Sequence, residues 1–271
     1  MNRLQPNIDY KINVQGGKKP YWKEDQADDP LFTFVNHKIL SSRPTYKSFI
    51  ALLDNYNAET GNSEYVSTNE RNENWAFLRS IMQSGPMQFC HRYCIANAKD
   101  IDVPSDERGF MKLLYSIWFD SYKRDRNSNG NDSSGFEHVF IGEIKNEKVS
   151  GFHNWITFYR EERSGHIDYR GYIKPRNYNK NPAETNDDDH VLTIQFHWDG
   201  IEKAVGTSFI GVSPEFEMAL YTMCFLVGEE SNVIRLDTGT GDEFELNCKV
   251  YRFGGRDKIS TSFVEALEHY D

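Results

Sequence analysis

The period of the apolar positions changes along the chain. Through roughly the first 125 residues they recur at helical spacing. In "PTYKSFIALLDNYNAETG", Phe49, Leu52, Leu53 and Tyr56 fall on one face and Gly61 stops the run. In "STNERNENWAFLRSIMQSG", Ser67 and Glu70 stand at capping-box spacing, ahead of a stripe of Trp75, Leu78, Ile81 and Met82 that Gly85 closes. "GFMKLLYSIWFDSY" repeats the device with Phe110, Leu113, Leu114, Ile117 and Trp118. These faces predict helices with one buried side and carry no chemistry.

Beyond residue 135 the runs shorten to strand length: "FEHVFIGEI", "HIDYRGYI", "VLTIQFHW", "TSFIGV", "NVIRL" and "FELNCKVYRF". Between the two regimes, "KRDRNSNGNDSSG" (123–135) has no period and reads as a surface loop. Two helices interrupt the strands. "NWITFYREERSG" ends at Gly165, and "SPEFEMALYTMCFLVG" starts with Ser213 as N-cap and Pro214 at the first helical position. The expected fold class is α+β: an N-terminal extension (1–24), a helical subdomain (25–125), then a mostly antiparallel, strand-rich catalytic half (136–271). No solenoid-type repeat is present.

Composition narrows the partners. With 38% hydrophobic and 27% charged residues among 271, the chain can bury a substantial core. No apolar run reaches the ~20 residues of a membrane helix, so no membrane partner is expected. The start, "MNRLQPNIDYKINVQGG", lacks the apolar centre of a secretion signal, which predicts a cytoplasmic or nuclear protein, or a secreted one in processed form. A monomer is expected. Cys90, Cys94, Cys224 and Cys248 are too scattered for a disulfide framework and are expected reduced in the core, with "CHRYC" as helix packing. A net charge of −10 argues against a broad basic grip on nucleic acid and leaves room for a local one. Arg170, Lys174, Arg176 and Lys180, interleaved with Tyr172 and Tyr178, suit single-stranded RNA, whose bases stack on rings while cations follow its backbone. The plain alternative is an exposed basic loop.

The candidate chemistry sits in "GFEHVFIGEIKNEKVSGFHNW" (135–155). If "FEHVFIGE" is extended, Glu137 and Glu143 share one side and His138 the other, with Phe136 and Phe140. His153 is expected at a strand-to-helix turn just before Trp155. Lys203 follows the Asp199-Gly200 turn, beside Thr207 and Ser208. Two imidazoles and an ammonium match the needs of RNA cleavage by its own 2′-hydroxyl: a base, an acid, and a cation for the phosphorane. Histidines held in the core by packing are the competing reading, and spacing alone does not choose. His166 and His197 sit on strands whose alternation needs no ligand.

"DSSGFEHVFIGE", "VSGFHNWITFY", "GHIDYRGYI" and "GTSFIGVSPEFEMALYTMCFL" closely resemble the EndoU (XendoU-type, poly(U)-specific) endoribonucleases. The resemblance extends upstream through "PLFTFVNHKILSSRPTYKSFIALLDNY" and "PMQFCHRYC". It implies an RNase A-like site acting on single-stranded, uridine-containing RNA, with His153 as general base, His138 as general acid and Lys203 stabilising the transition state. Glu137 and Glu143 match acidic positions needed for activity; the alternative for both is a solvated strand face. Tyr251 is the match for a tyrosine against the uracil, with Lys249 where a small hydroxyl residue is often expected, and Thr207 or Ser208 as further base contacts. The resemblance also implies activation by Mn2+ or Ca2+ as a cofactor that does not activate water. The metal ligands stay unknown: no H-E-x-x-H is present, and the three aspartates at 187–189 form a solvated loop that could collect a cation. The rival functions are a catalytically silent RNA-binding module of the same fold and a secreted metal-dependent phosphodiesterase.

Overall fold

The computed structural model describes residues 8–61, 65–173, 190–237, 243–255 and 257–266. Lys174, Arg176, Tyr178, Lys180 and the aspartates at 187–189 lie outside the described residues.

One helix start follows the capping box written in the sequence. Helices α1 (His37–Ser42), α2 (Pro44–Ile50), α3 (Thr68–Met82), α4 (Gly85–Asn97) and α5 (Glu107–Trp118) fill the first half. At α3, Ser67 accepts from the Glu70 amide and the Glu70 carboxylate accepts from the Ser67 amide. Such a cap stabilises a helix by about 1 kcal/mol. Leu78, Ile81 and Met82 are buried with Phe77 and Asn74, while Trp75 stays at the edge, stacked on Tyr115 at 4.8 Å. α2 ends at Ile50, well short of Gly61, and turns carry Leu52 into the core instead. The cysteines are free and buried, Cys90 and Cys94 among them in α4.

Three short strands precede α1 and α2: β1 (Tyr10–Ile12), β2 (Gly17–Lys18) and β3 (Phe32–Val35). The second half contributes β4 (Glu143–Lys145), β5 (Lys148–Ser150), α6 (Trp155–Arg163), β6 (Ile167–Ile173), β7 (Val191–Trp198), β8 (Ile201–Phe209), α7 (Pro214–Val227), β9 (Ser231–Asp237), β10 (Glu243–Phe253) and β11 (Lys258–Ala266). One sheet runs β2-β6-β7-β8, with β2 parallel to β6 and the other pairs antiparallel. A second, antiparallel throughout, runs β11-β10-β9. α4 and α2 pack on α7, so the helical block and the strand-rich half share one core. The α+β class holds. No helix among the described residues is long and apolar enough to cross a membrane.

Three expectations are corrected. "FEHVFIGEI" is not a strand throughout: Glu137–Ile141 form a π-helical turn before β4 begins at Glu143. The reason is packing. Phe136 and Phe140 meet at 5.0 Å and reach Phe49, at 5.8 and 5.7 Å, on the helical block. Residues i and i+4 stand about 13 Å apart along a strand, so two such rings in contact need a helical turn. The loop 123–135 is not simply surface, because Ser128, Asp132, Ser133 and Ser134 are buried. Asp132 holds it there by accepting from the amides of Gly61, Arg124 and Asp125. The stretch expected as an extension is woven into the fold: β1 pairs with β3, and β2 with β6. The Lys18 side chain, 1% exposed, donates to Gln195 of β7. Strands of two or three residues are too short to show a period.

Candidate active site

The π-helical turn explains how His138 meets its partner. Its wide turn returns the chain so that the Gly142 amide bonds Glu137 O at 2.9 Å and Glu143 starts β4 directly beyond. His138 Nδ1 then lies 2.7 Å from Glu143 Oε2. Glu143, fully buried, also accepts from Ser133 Oγ on its other oxygen and pairs with Arg124 Nε at 3.2 Å. Burial alone would push the Glu143 carboxyl up, but the His138 hydrogen bond, with Arg124 and Ser133, outweighs it and holds the group below its ordinary value. Glu143 is therefore an ionised acceptor, and His138 Nδ1 carries the hydrogen it receives. Burial lowers the His138 pKa, and Glu143 offsets only part of that, so the net shift is downward. Glu137 is 1% exposed within the same turn. Neither glutamate lies on a solvated strand face.

His153 is delivered by a second device. The segment after β5 (Lys148–Ser150) docks on the π-helical turn: the Phe152 amide donates to His138 O at 3.0 Å and the His153 amide to Val139 O at 2.7 Å. Gly151 has φ +64°, and a Cβ there would stand 1.9 Å from His138 O, so no other residue fits without displacing the turn. Phe152 also takes positive φ (64°), an uncommon backbone state for a bulky residue, held by its ring contacts with Phe196 at 5.1 Å and Trp198 at 4.9 Å. Asn154 caps α6 by accepting from the Ile156 and Thr157 amides. The imidazole is thus fixed between a strained turn and a helix start.

The His153 ring differs from His138 in its partner. Its Nδ1 lies 2.9 Å from the main-chain oxygen of Thr207. A carbonyl only accepts, so Nδ1 carries the hydrogen and Nε2 keeps its lone pair. Burial and the nearby Lys203 charge hold the His153 pKa well below its ordinary value. Lys203 lies in β8 just past a two-residue turn, Asp199 at φ 47° and Gly200 at 81°, as the hairpin signal predicts. Its Nζ donates to Gly151 O at 2.6 Å, and burial brings its pKa down to about 8. Lys203 Nζ on Gly151 O, with the Phe152 amide on His138 O and the His153 amide on Val139 O, gathers the three candidates around one turn.

The other predicted residues divide. Thr207 offers its carbonyl to His153 and pairs its hydroxyl with Thr193 at 3.0 Å, so it serves the histidine more directly than a ligand. Ser208 follows it in β8, in register with Leu192. Tyr251, 38% exposed on β10, is 6.5 Å from the ring of Phe263. Phe263 itself stacks on His153 at 4.9 Å and 21°. Phe263 and Arg124 were missed by sequence reasoning. Phe263 stands opposite Lys249 in the β10–β11 register, and only that pairing reveals it. Arg124 is the second residue of 123–135, a stretch whose composition reads as a surface loop. Outside the site, His166 pairs with the exposed Asp199 at 2.9 Å.

The cation implied by the resemblance finds no protein cage here. Among the described residues no group of three or more His, Cys, Asp or Glu side chains is arranged to hold a metal ion. Glu143 has both oxygens engaged, as has Asp132. The described residues do not fit a protein-held metal.

Comparison with known proteins identifies the family. The family described as Endoribonuclease XendoU matches residues 1–264. The chain is 42% identical over 268 residues to a uridylate-specific endoribonuclease C of Danio rerio, covering 94% of this chain and 81% of that protein. It is 42% identical over 262 residues to a poly(U)-specific endoribonuclease-A of Xenopus laevis, covering 93% and 85%. Among solved structures it is similar to that of XendoU, described as a splicing independent snoRNA processing endoribonuclease. The TM-score is 0.78 at 39% identity, over 99% of this chain and 93% of that one.

Proposed function

This chain belongs to the XendoU family of endoribonucleases, and on that premise we propose that it cleaves single-stranded RNA at uridylates by attack of the 2′-hydroxyl on the adjacent phosphorus. His153 Nε2 takes the 2′-hydroxyl proton. The charge that builds on the phosphorane oxygens faces the Lys203 ammonium. His138 gives a proton from Nε2 to the departing 5′-oxygen, leaving a 2′,3′-cyclic phosphate and a 5′-hydroxyl end.

One observation carries the division of labour: the two Nδ1 atoms have opposite partners. A carbonyl behind His153 does little to stabilise a cation, and Lys203 beside it disfavours one, so this ring rests neutral with a free lone pair, as a base must. An ionised carboxylate behind His138 stabilises imidazolium, as an acid needs. Phe263, stacked on His153, with Tyr251 beyond it, offers a flat apolar surface next to the 2′-hydroxyl for the uracil base. Ser208 remains a candidate polar contact to the base. Mn2+ or Ca2+ enters this account as an activator with no step of the reaction assigned to it.

The test is a set of DNA oligomers carrying one ribonucleotide. Cleavage is expected where that nucleotide is uridine, with none at deoxyuridine and slower cleavage at ribocytidine or riboadenosine. Equal cleavage at deoxyuridine overturns 2′-hydroxyl attack. Binding without cleavage of any oligomer returns the silent RNA-binding module.

A further inference from the structure

Glu217 lies in the first turn of α7, fully buried, one helix away from the reacting groups. Its Oε2 accepts from Asn154 Nδ2 at 2.7 Å, and its Oε1 has no hydrogen-bond partner. Asn154 is also fully buried and is the residue after His153. Its Oδ1 is committed to the Ile156 and Thr157 amides at 3.0 and 3.1 Å, and its backbone bridges to Phe209 at the end of β8.

We infer that Glu217 is a positioning residue for the cleavage reaction, holding the Asn154 amide and through it the turn that presents His153. The inference rests on the reading of His153 as the base. Asn154 can cap α6 only with its oxygen toward the helix, which turns its NH2 group into the dry core. An acceptor must wait there, or the amide is left unsatisfied at a cost that favours a different rotamer. Glu217 supplies that acceptor from a separate, well-packed helix. The junction of three elements is thereby locked: the α6 start, the end of β8, and α7. His153 inherits the lock, since its amide and ring bonds, to Val139 O and Thr207 O, both require the residue-153 backbone to stay where Asn154 begins the helix.

Its protonation state follows from its surroundings. Among the described residues no lysine, arginine or histidine pairs with Glu217, and the titratable groups beside it are the buried phenols of Tyr46 on α2 and Tyr221 on α7. Burial pushes its carboxyl well above the ordinary range. An isolated carboxylate in such a place is too costly to persist, so Glu217 acts as a neutral acid. A leucine would pack as well and cost less. What leucine lacks is the oxygen that Asn154 needs.

The experiment measures kcat and KM on a uridine-containing oligomer for wild type, Glu217→Gln, Glu217→Leu and His153→Ala, each normalised to its folded fraction. Glu217→Gln keeps the acceptor and the neutral charge. It is expected to stay within twofold of wild type, with a superimposable pH profile. Glu217→Leu is expected to lower kcat at least about tenfold with KM unchanged, as a misplaced base does. A wild-type kcat in folded Glu217→Leu, or a loss confined to KM, overturns the inference while the acid–base reading survives through an inactive His153→Ala. A Glu217→Gln profile with its acidic limb moved to lower pH also overturns it, because the carboxyl then carries charge. No cleavage by wild type overturns both readings.

Discussion

His138 and Glu143 are five residues apart in sequence and 2.7 Å apart in space, because the chain between them turns as a π-helix before the strand begins. That contact makes one histidine chemically unlike the other, whose ring leans on a main-chain carbonyl. The pair is therefore asymmetric before any substrate arrives.

Glu143→Gln should move the alkaline limb of the pH–rate profile to lower pH. Glu143 raises the His138 pKa, so removing its charge lets the acid lose its proton earlier as pH rises. At pH 7 the rate should fall on the order of 10²-fold, the usual size of a general-acid contribution. A profile displaced to higher pH contradicts the assignment.

A substrate with sulfur in place of the departing 5′-oxygen separates acid from base. A thiolate leaves without a proton, so His138→Ala should recover most of its activity on that substrate and His153→Ala should recover none. The reverse pattern exchanges the two roles.

Lys203→Ala should lower kcat by about 10²–10³-fold, as loss of one transition-state donor does, with little change in KM. Lys203→Arg should not restore it. The ammonium sits in a buried slot whose Gly206 leaves room for a slim stem, its Cβ position only 3.3 Å from Lys203 Cγ and Cε, and a planar guanidinium is larger. In wild type, activity should decline as pH rises through about 8, where the Lys203 ammonium loses its proton.

Phe263→Ala should cost about 1–3 kcal/mol in kcat/KM, the worth of one stacked base, and should relax the preference for uridine. Phe263→Tyr keeps the ring and should keep the rate. Tyr251→Ala, one ring further from His153, should do less.

The backbone settings of two candidates could be read before the structure. His153 was legible because a helix start is written at Asn154-Trp155, and Lys203 because Asp199-Gly200 is a hairpin turn whose geometry follows from residue type. The Ser67–Glu70 cap was equally plain. The environment of His138 was not legible. Phe136, His138 and Phe140 satisfy a two-residue alternation by accident, and only the aromatic core they meet, from Phe49 to Trp118, selects the π-turn. Arg124 and Asp132 sit in a polar stretch whose burial is decided by tertiary partners, which no local pattern encodes. Phe263 needed the strand register: Tyr251 was the sequence candidate, and the ring that touches His153 is Phe263, which pairs on the next strand with Lys249, two residues before Tyr251.

The most direct measurement is product analysis by mass after cleavage of an oligomer with a single uridine. Wild type and His153→Ala should be compared with manganese, with calcium and with chelator. The account predicts a 2′,3′-cyclic phosphate and a 5′-hydroxyl end in every condition that cleaves, whatever the metal does to the rate, and no product from His153→Ala. A linear monophosphate formed without the cyclic species, or undiminished cleavage by His153→Ala, contradicts it.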